Sequence, residues 1–516
     1  MPRKSTEELV RRNIKRLISY GENCLELEGY DSIFVENALL NMFSVTEPYD
    51  GDLGEFDIYQ VLGELFEVAV KRKMYSSEDR LLFEGRIMGA LMPRPVAVIE
   101  RFDNIAAYKG SMEASKWLQR LEENATYLRR PDLDKNIKWE HDNAERGNIV
   151  ITINLAKPEK TQEEVERAKN AKTGYPKCVL CPENIGHYGN AGQPARQHIR
   201  IIPMELDGED WFMQFSPYEY FGEHIIAISN EHRPMNLNAG SFRRMADFVD
   251  LFPDYFIGSN APLPIVGGSV LAHDHYQGGR KELPVLTRPA RKHYLAKGFS
   301  DCNVSIVDWY NSVIRIESKN KKQLVELAEK FRSAWDDYSD EDVDILSKTT
   351  DQHNTVTPFI YKNNGYYFLN LILRNNRTDE GHPHGIFHPT KDMHHIKQES
   401  IGIIEAMGLF ILPGRLEKEC TAIKDILTGK TPLDFKALTD ENHPLNKHLD
   451  MIAQLSATYG TSLADNKAGD IITDYINNTC EKILDCTAVF KNTQEGQEHF
   501  DKFIMSVIGN APKISC

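Results

Sequence analysis

Residues 355–373, TVTPFIYKNNGYYFLNLIL, constrain the fold more tightly than any other stretch of the chain. Two β-branched and aromatic runs flank Asn364-Gly365, the dipeptide best suited to a two-residue hairpin turn. The chain must therefore carry an antiparallel strand pair. Further short runs of this kind precede it: HIRIIPMEL, DWFMQFSPYEYF, HIIAISN, IVGGSVLAHDHYQ and VSIVDWYNSVIRIES, broken by Gly, Pro and Asn. Between them FRRMADFVDLF and KKQLVELAEKFRSAWDDY read as helices. The order strands, helix, strands occurs twice. This predicts an α+β fold with antiparallel sheets in two related halves, although no residue-level repeat accompanies it.

The flanks are different in kind. Leu9, Val10, Ile14, Leu17 and Ile18 recur at helical spacing, as do the apolar residues of LGELFEVAVKRKM and MEASKWLQRLEENATYL. NIVITINL (residues 148–155) is the one strand-like run in this part. At the other end IGIIEAMGLFIL, LNKHLDMIAQLSATYG and FDKFIMSVIG are read as helical. Four segments follow: a mainly helical region over 1–172, a first sheet half over 173–300, a second over 301–399, and a helical region over 400–516. No low-complexity linker divides them, so packed joints are expected.

With 61 Lys plus Arg against 76 Asp plus Glu, the formal charge is −15, which argues against nucleic acid as a partner. A small phosphorylated substrate needs only a few local donors and is not excluded. The first residues, MPRKSTEELVRRNIKRL, lack the apolar stretch of a signal peptide. No run of about 18 apolar residues suggests a membrane span. Eight thinly spread cysteines suit reduced thiols and predict a cytoplasmic protein. The terminal KISC lacks the cysteine position of a prenylation box.

The chemistry concentrates in VLAHDHYQGG, residues 270–279. In an extended chain residues two apart share a side, so His273, His275 and Gln277 would face one site while Asp274 and Tyr276 face away. Upstream, Cys178 and Cys181 form a Cys-x-x-Cys. That spacing serves a redox pair or half a metal site, and its Pro-rich flanks do not resemble a thioredoxin-type turn. His232 and His273 would complete a two-Cys, two-His tetrahedral zinc site. The alternative is a pair of buried free thiols. With His273 committed to structure, His275 is free to attack phosphorus, splitting one displacement into two easier ones through a phosphoramidate. Gln277 can donate amide N–H groups to nonbridging phosphate oxygens, and Gly278-Gly279 would let backbone approach the phosphate.

Several separated stretches then carry a resemblance: CVLCPEN, PARQHIRIIPMELDGEDWFMQFSPYEYF, ISNEHRPM, FPDYFIGSNAPLPIVGGSVLAHDHYQGG and FHPTKDMHHIKQESIGIIEAMGLFILPGRL. Together they resemble the UDP-glucose–hexose-1-phosphate uridylyltransferases, in the longer class found mainly in Gram-positive bacteria. The resemblance implies a histidine-triad-like fold and ping-pong exchange of UMP between UDP-glucose and galactose 1-phosphate, the Leloir reaction of galactose metabolism. It implies His275 as the nucleophile, Gln277 on the uridylyl phosphate, and Cys178, Cys181, His232 and His273 as metal ligands. It also implies a homodimer acting on UDP-hexose and hexose 1-phosphate. Two departures stand out. The shorter class reads His-Pro-His-Gly-Gln where this chain has Asp274 and Tyr276 as spacers, and Ile185-Gly186 stands where the longer class tends to have Glu-Gly.

The remaining candidates are less tightly specified. His382 and His384 in GHPHGIFHP reproduce His-Pro-His-Gly without the glutamine and read as a loop. His388 and His395, near Lys397 and Glu399, are candidates for a sugar-phosphate or second metal site. The competing reading has His394-His395 simply flanking the following helix. Arg196 and Arg200 are candidate phosphate donors, weighed against surface ion pairing. Asn260 and Ser269 are candidate hydrogen-bond donors to ribose or phosphate, weighed against turn chemistry. Two rival functions remain: another histidine-triad phosphorylase or hydrolase, in which phosphate or water takes the nucleotidyl group, and a non-enzymatic zinc-binding module, which has no use for Gln277.

Overall fold

The computed structural model describes residues 3–156, 174–190, 193–268 and 270–509. The hairpin is where the sequence places it. Asn363 pairs with Tyr366, and Asn364 and Gly365 take positive φ of 49° and 78°. The strands in chain order are β1 (Ile137–His141), β2 (Ile149–Asn154), β3 (Ile202–Leu206), β4 (Glu209–Phe215), β5 (Ile225–Ser229), β6 (Tyr255–Gly258) and β7 (His275–Arg280). They continue as β8 (Ala290–Leu295), β9 (Cys302–Val307), β10 (Val313–Ser318), β11 (Asn354–Asn363), β12 (Tyr366–Asn375) and β13 (Leu409–Pro413).

Ten of these form one antiparallel sheet in the order β3-β4-β5-β7-β6-β11-β12-β10-β9-β8. The two halves have the same connectivity. Each runs through three successive strands, a helix (Ala239–Leu251 or Lys321–Asp336) and two more strands, the last inserting beside the third. They meet edge to edge where β6 pairs with β11, Ile257 opposite Ile360. The expected α+β architecture in two related halves is therefore observed. The halves differ at one joint. β11 and β12 share a tight turn, whereas β6 and β7 are separated by residues 259–274, which carry His273 to the head of β7.

Local signals set the helix starts. Asn238 caps Ala239–Leu251 in a capping box with Ser241, and Asn320 accepts the Gln323 N–H at the start of Lys321–Asp336. Side chains alternate across the sheet as strand geometry requires. Tyr255, Ile257, Tyr276, Ile360, Leu369 and Leu371 belong to a core shared with the N-terminal helices, the two intervening helices and the C-terminal helix Gln494–Ile508. Phe256, Phe359, Tyr361 and Ile372 face the other way, into a core shared with the segment 396–484. The first helix, Arg3–Cys24, buries Val10, Ile14, Leu17 and Ile18 as its periodicity predicts. Among the described residues no helix is long and apolar enough to cross a membrane.

Two readings need correction. IGIIEAMGLFIL is not helical throughout. It makes a single turn over Ile403–Ala406, after which Gly408 adopts a φ of 98° and Leu409–Pro413 pairs in parallel with β2. A Cβ at Gly408 would lie 2.9 Å from the Trp309 ring, so glycine is needed for both conformation and space. The resulting sheet β1-β2-β13 ties the N-terminal segment to the C-terminal one. Second, VLAHDHYQ is not one extended run, because β7 begins only at His275.

Candidate functional site

The Cys-x-x-Cys segment folds back over the end of the first half-sheet, with Leu180 packed on Phe212 and Ile228. Asn184 fixes the turn by donating to the carbonyls of Cys178 and Cys181, both at 2.8 Å. The chain before β7 is stitched to the segment holding His232. Ser229 N–H donates to the Asp274 carbonyl at 3.0 Å, and Asp274 N–H to the Arg233 carbonyl at 2.7 Å. Four ligand atoms converge: Cys178 Sγ lies 3.5 Å from Cys181 Sγ and 3.2 Å from His273 Nδ1, and Cys181 Sγ lies 3.2 Å from His232 Nδ1.

All four lie within 4.8 Å of one another. Tetrahedral zinc with bonds of about 2.0–2.3 Å would space its ligands roughly 3.3–3.8 Å apart, so the donor set fits. His273 Nε2–H donates to the Ser229 carbonyl at 2.8 Å, which leaves the Nδ1 lone pair toward the thiols. Burial alone would raise the Cys178 thiol, but its contacts with His273, the Leu180 N–H and Cys181 bring it below the usual range. Burial and the neighbouring Cys178 push Cys181 up to about 11. A cation would relieve the cost of holding two thiolates side by side.

His275 opens β7 two residues after His273. Its Nδ1–H donates to the His273 carbonyl at 2.7 Å, which fixes the tautomer and leaves the lone pair on Nε2. The imidazole is 7% exposed, and burial lowers its pKa, favouring the neutral ring. Gln277 follows on the same face of the strand and is half-buried. Its side-chain oxygen accepts from His224 Nε2 at 3.1 Å. The spacers face away as expected. Tyr276 stacks on Trp211 at 4.8 Å and accepts from Arg244 Nε at 2.9 Å, while Asp274 lies 3.5 Å from Arg233 and 3.8 Å from Arg244. Burial, partly offset by those arginines, pushes Asp274 up to about 6.

The glycine pair has a structural reason. A Cβ at Gly278 would lie 2.4 Å from the Phe256 carbonyl, and one at Gly279 2.6 Å from the Glu223 carbonyl. β7 is squeezed between β5 and β6, and the space is taken by protein.

Asn260 sits at the mouth of the 259–274 loop and accepts the Ile403 N–H at 2.9 Å, tying that loop to the C-terminal segment. Ser269 lies outside the described residues. Arg200 spends its guanidinium on the carbonyls of Pro93, Gln197 and Ile199, a brace between helical region and sheet. Arg196 lies over the Tyr127 ring, 5.4 Å from its centroid. His388 is buried beside Pro389 and His394. His395 turns to the C-terminal helices, its ring 5.1 Å from His448 and 5.8 Å from Tyr475. The His382–His384 stretch is an exposed loop, with His382 paired to Asp379 at 2.9 Å. His224 escaped sequence reading. It stands in HIIAISN, but only the register of β5 beside β7, with Ile226 opposite Gln277, brings it to the site.

Known proteins place this geometry. The model of the galactose-1-phosphate uridyl transferase N-terminal domain matches residues 60–234, and that of the C-terminal domain residues 248–439. A galactose-1-phosphate uridylyltransferase of Caldanaerobacter subterraneus subsp. tengcongensis is 41% identical over 504 residues, covering 95% of this chain and 97% of its own length. That of Clostridium acetobutylicum is 40% identical over 502 residues, 96% and 99% covered. A yeast Ap4A phosphorylase crystal structure overlaps 63% of this chain and 88% of its own at 10% identity, with a TM-score of 0.29, too low to carry any argument. With both domains matched in order and relatives aligned along nearly the whole length, the chain belongs to the galactose-1-phosphate uridyl transferase family.

Proposed function

We propose that this protein exchanges UMP between UDP-glucose and galactose 1-phosphate through a uridylyl-histidine on His275. The observation that supports it most is the pairing of a tautomer-fixed His275 with Gln277 on one strand face. In the first step His275 Nε2 attacks the phosphorus next to uridine. The N–P bond forms, the P–O bond to the second phosphate breaks, and glucose 1-phosphate leaves. The Nδ1 proton stays in its hydrogen bond to the His273 carbonyl, which stabilises the positive charge the ring acquires. In the second step a phosphate oxygen of galactose 1-phosphate attacks the same phosphorus. The N–P electron pair returns to Nε2, and UDP-galactose departs with no net proton change. Gln277 holds the nonbridging oxygens through both steps without offering a proton to the nucleophile.

Cys178, Cys181, His232 and His273 would hold a zinc ion. When bound, it supplies a structural cross-link that anchors the chain entering β7. A soluble cytoplasmic homodimer is the assembly proposed, tested by sedimentation.

The function is tested by exchange of labelled glucose 1-phosphate into UDP-glucose with no second sugar present. Exchange, together with parallel double-reciprocal lines for the full reaction, supports the two-step route. Sequential kinetics without exchange would overturn it. Substituting inorganic phosphate or water for galactose 1-phosphate separates this activity from a phosphorylase or hydrolase.

A further inference from the structure

We propose that His224 is a positioning residue for uridylyl transfer: it holds the Gln277 side-chain oxygen so that the amide N–H groups face the phosphorus. The inference rests on the reading of Gln277 as the phosphate donor. A terminal amide can point either way, and only one orientation serves a phosphate, whose oxygens accept. The His224 ring decides between them. Its Nε2 lies 3.1 Å from Gln277 Oε1, while its Nδ1 is buried with no partner among the described residues. If the amide N–H pointed at Nε2, the imidazole proton would sit on Nδ1 as an orphaned buried donor, an arrangement proteins avoid. The proton therefore belongs on Nε2 and the oxygen of Gln277 receives it, leaving both amide hydrogens for the substrate.

The ring is also fixed in place. His224 is 1% exposed, and its carbonyl accepts the Ser216 N–H at 2.8 Å. Phe221 packs on the ring at 4.4 Å between centroids and Tyr220 at 5.5 Å. A Cβ at Gly279 would come within 2.8 Å of Phe221, so this clamp closes only over glycine. The second glycine of the motif thus serves the residue that aims Gln277. Burial lowers His224 to about 4, so it stays neutral and offers one N–H at ordinary pH.

The test is a double-mutant cycle on the full-length protein, with glucose 1-phosphate exchange and full transfer both measured. His224→Leu and His224→Phe remove the donor, the second while filling the ring's space. Either should lower kcat by roughly tenfold to a hundredfold, the range for losing a group that orients a contacting ligand, with the KM for UDP-glucose little changed. In a Gln277→Ala background the same change should cost nothing further, since no amide remains to be aimed. His224→Gln, whose amide nitrogen can reach the Nε2 position, should recover much of the rate. Wild-type kcat in a folded His224→Phe protein, or an equal loss in both backgrounds, would overturn the proposal. A Gln277→Ala protein as fast as wild type would instead overturn the reading of Gln277 beneath it.

Discussion

Replacing Gln277 separates the two roles proposed for it, one amide face meeting His224 and the other the substrate. Gln277→Ala removes a transition-state donor, worth about a hundredfold to a thousandfold in rate. It also strands the His224 Nε2–H, which is almost wholly buried, at a cost of about 1–3 kcal/mol in stability. Gln277→Glu keeps an acceptor for His224 and should hold stability close to wild type. Its carboxylate turns a negative charge toward the phosphate, so the rate should fall at least as far as in the alanine variant. Glucose 1-phosphate exchange measures the first quantity, and the urea midpoint at constant slope measures the second. The expected pattern is both variants slow and only alanine unstable. Equal stability of the two variants would refute the buried contact, and a normal rate in either would refute the phosphate role.

Further expectations concern neighbouring groups. Cys178→Ser should reduce the metal content from about one ion per chain to none. It should lower the melting temperature more than it alters acceptor preference, as read by elemental analysis and calorimetry. Glu122 is buried against the Arg200 N–H at 2.9 Å, and burial pushes its carboxyl up to about 8. A raised acid leaves the native state without penalty below the unfolded value near 4.5 and destabilises it progressively as pH climbs toward 8. Glu122→Gln should therefore gain melting temperature over wild type at pH 8.5 and lose that gain at pH 5; a pH-independent difference would contradict it. His382→Ala and His384→Ala, in the exposed loop, should leave exchange within about threefold of wild type, as surface changes away from a site do.

The sequence carried the hairpin, the two intervening helices and the repeated strand order because each rests on local chemistry. Asn364-Gly365, Asn238 and Asn320 act within a few residues of themselves. The Cys178–His273 cluster was legible for another reason: two thiols and two imidazoles have few uses together. Non-local register was not legible. The helical reading of IGIIEAMGLFIL failed because pairing with Ile149–Asn154, far away in the chain, decides its second half. Gly278-Gly279 read as room for a phosphate, whereas the need for glycine that the fold shows, clearance of the Phe256 and Glu223 carbonyls, comes from neighbouring strands that no sequence spacing announces. Arg200 had the composition of an anion ligand, and only tertiary packing shows its donors spent on carbonyls. His224 was visible as a letter but not as a partner, since cross-strand neighbours carry no sequence spacing.

The central claim is a covalent uridylyl-His275. The direct measurement uses UDP-glucose labelled at the phosphorus next to uridine, mixed with the protein without acceptor, followed by denaturation and peptide mapping. Label should remain on the protein, be released by acid but not by base as a phosphoramidate is, and map to the peptide containing His275. Galactose 1-phosphate added before denaturation should discharge it as UDP-galactose, and His275→Gly should retain none. Protein free of label, or label on the peptide containing His382 and His384, would contradict the account.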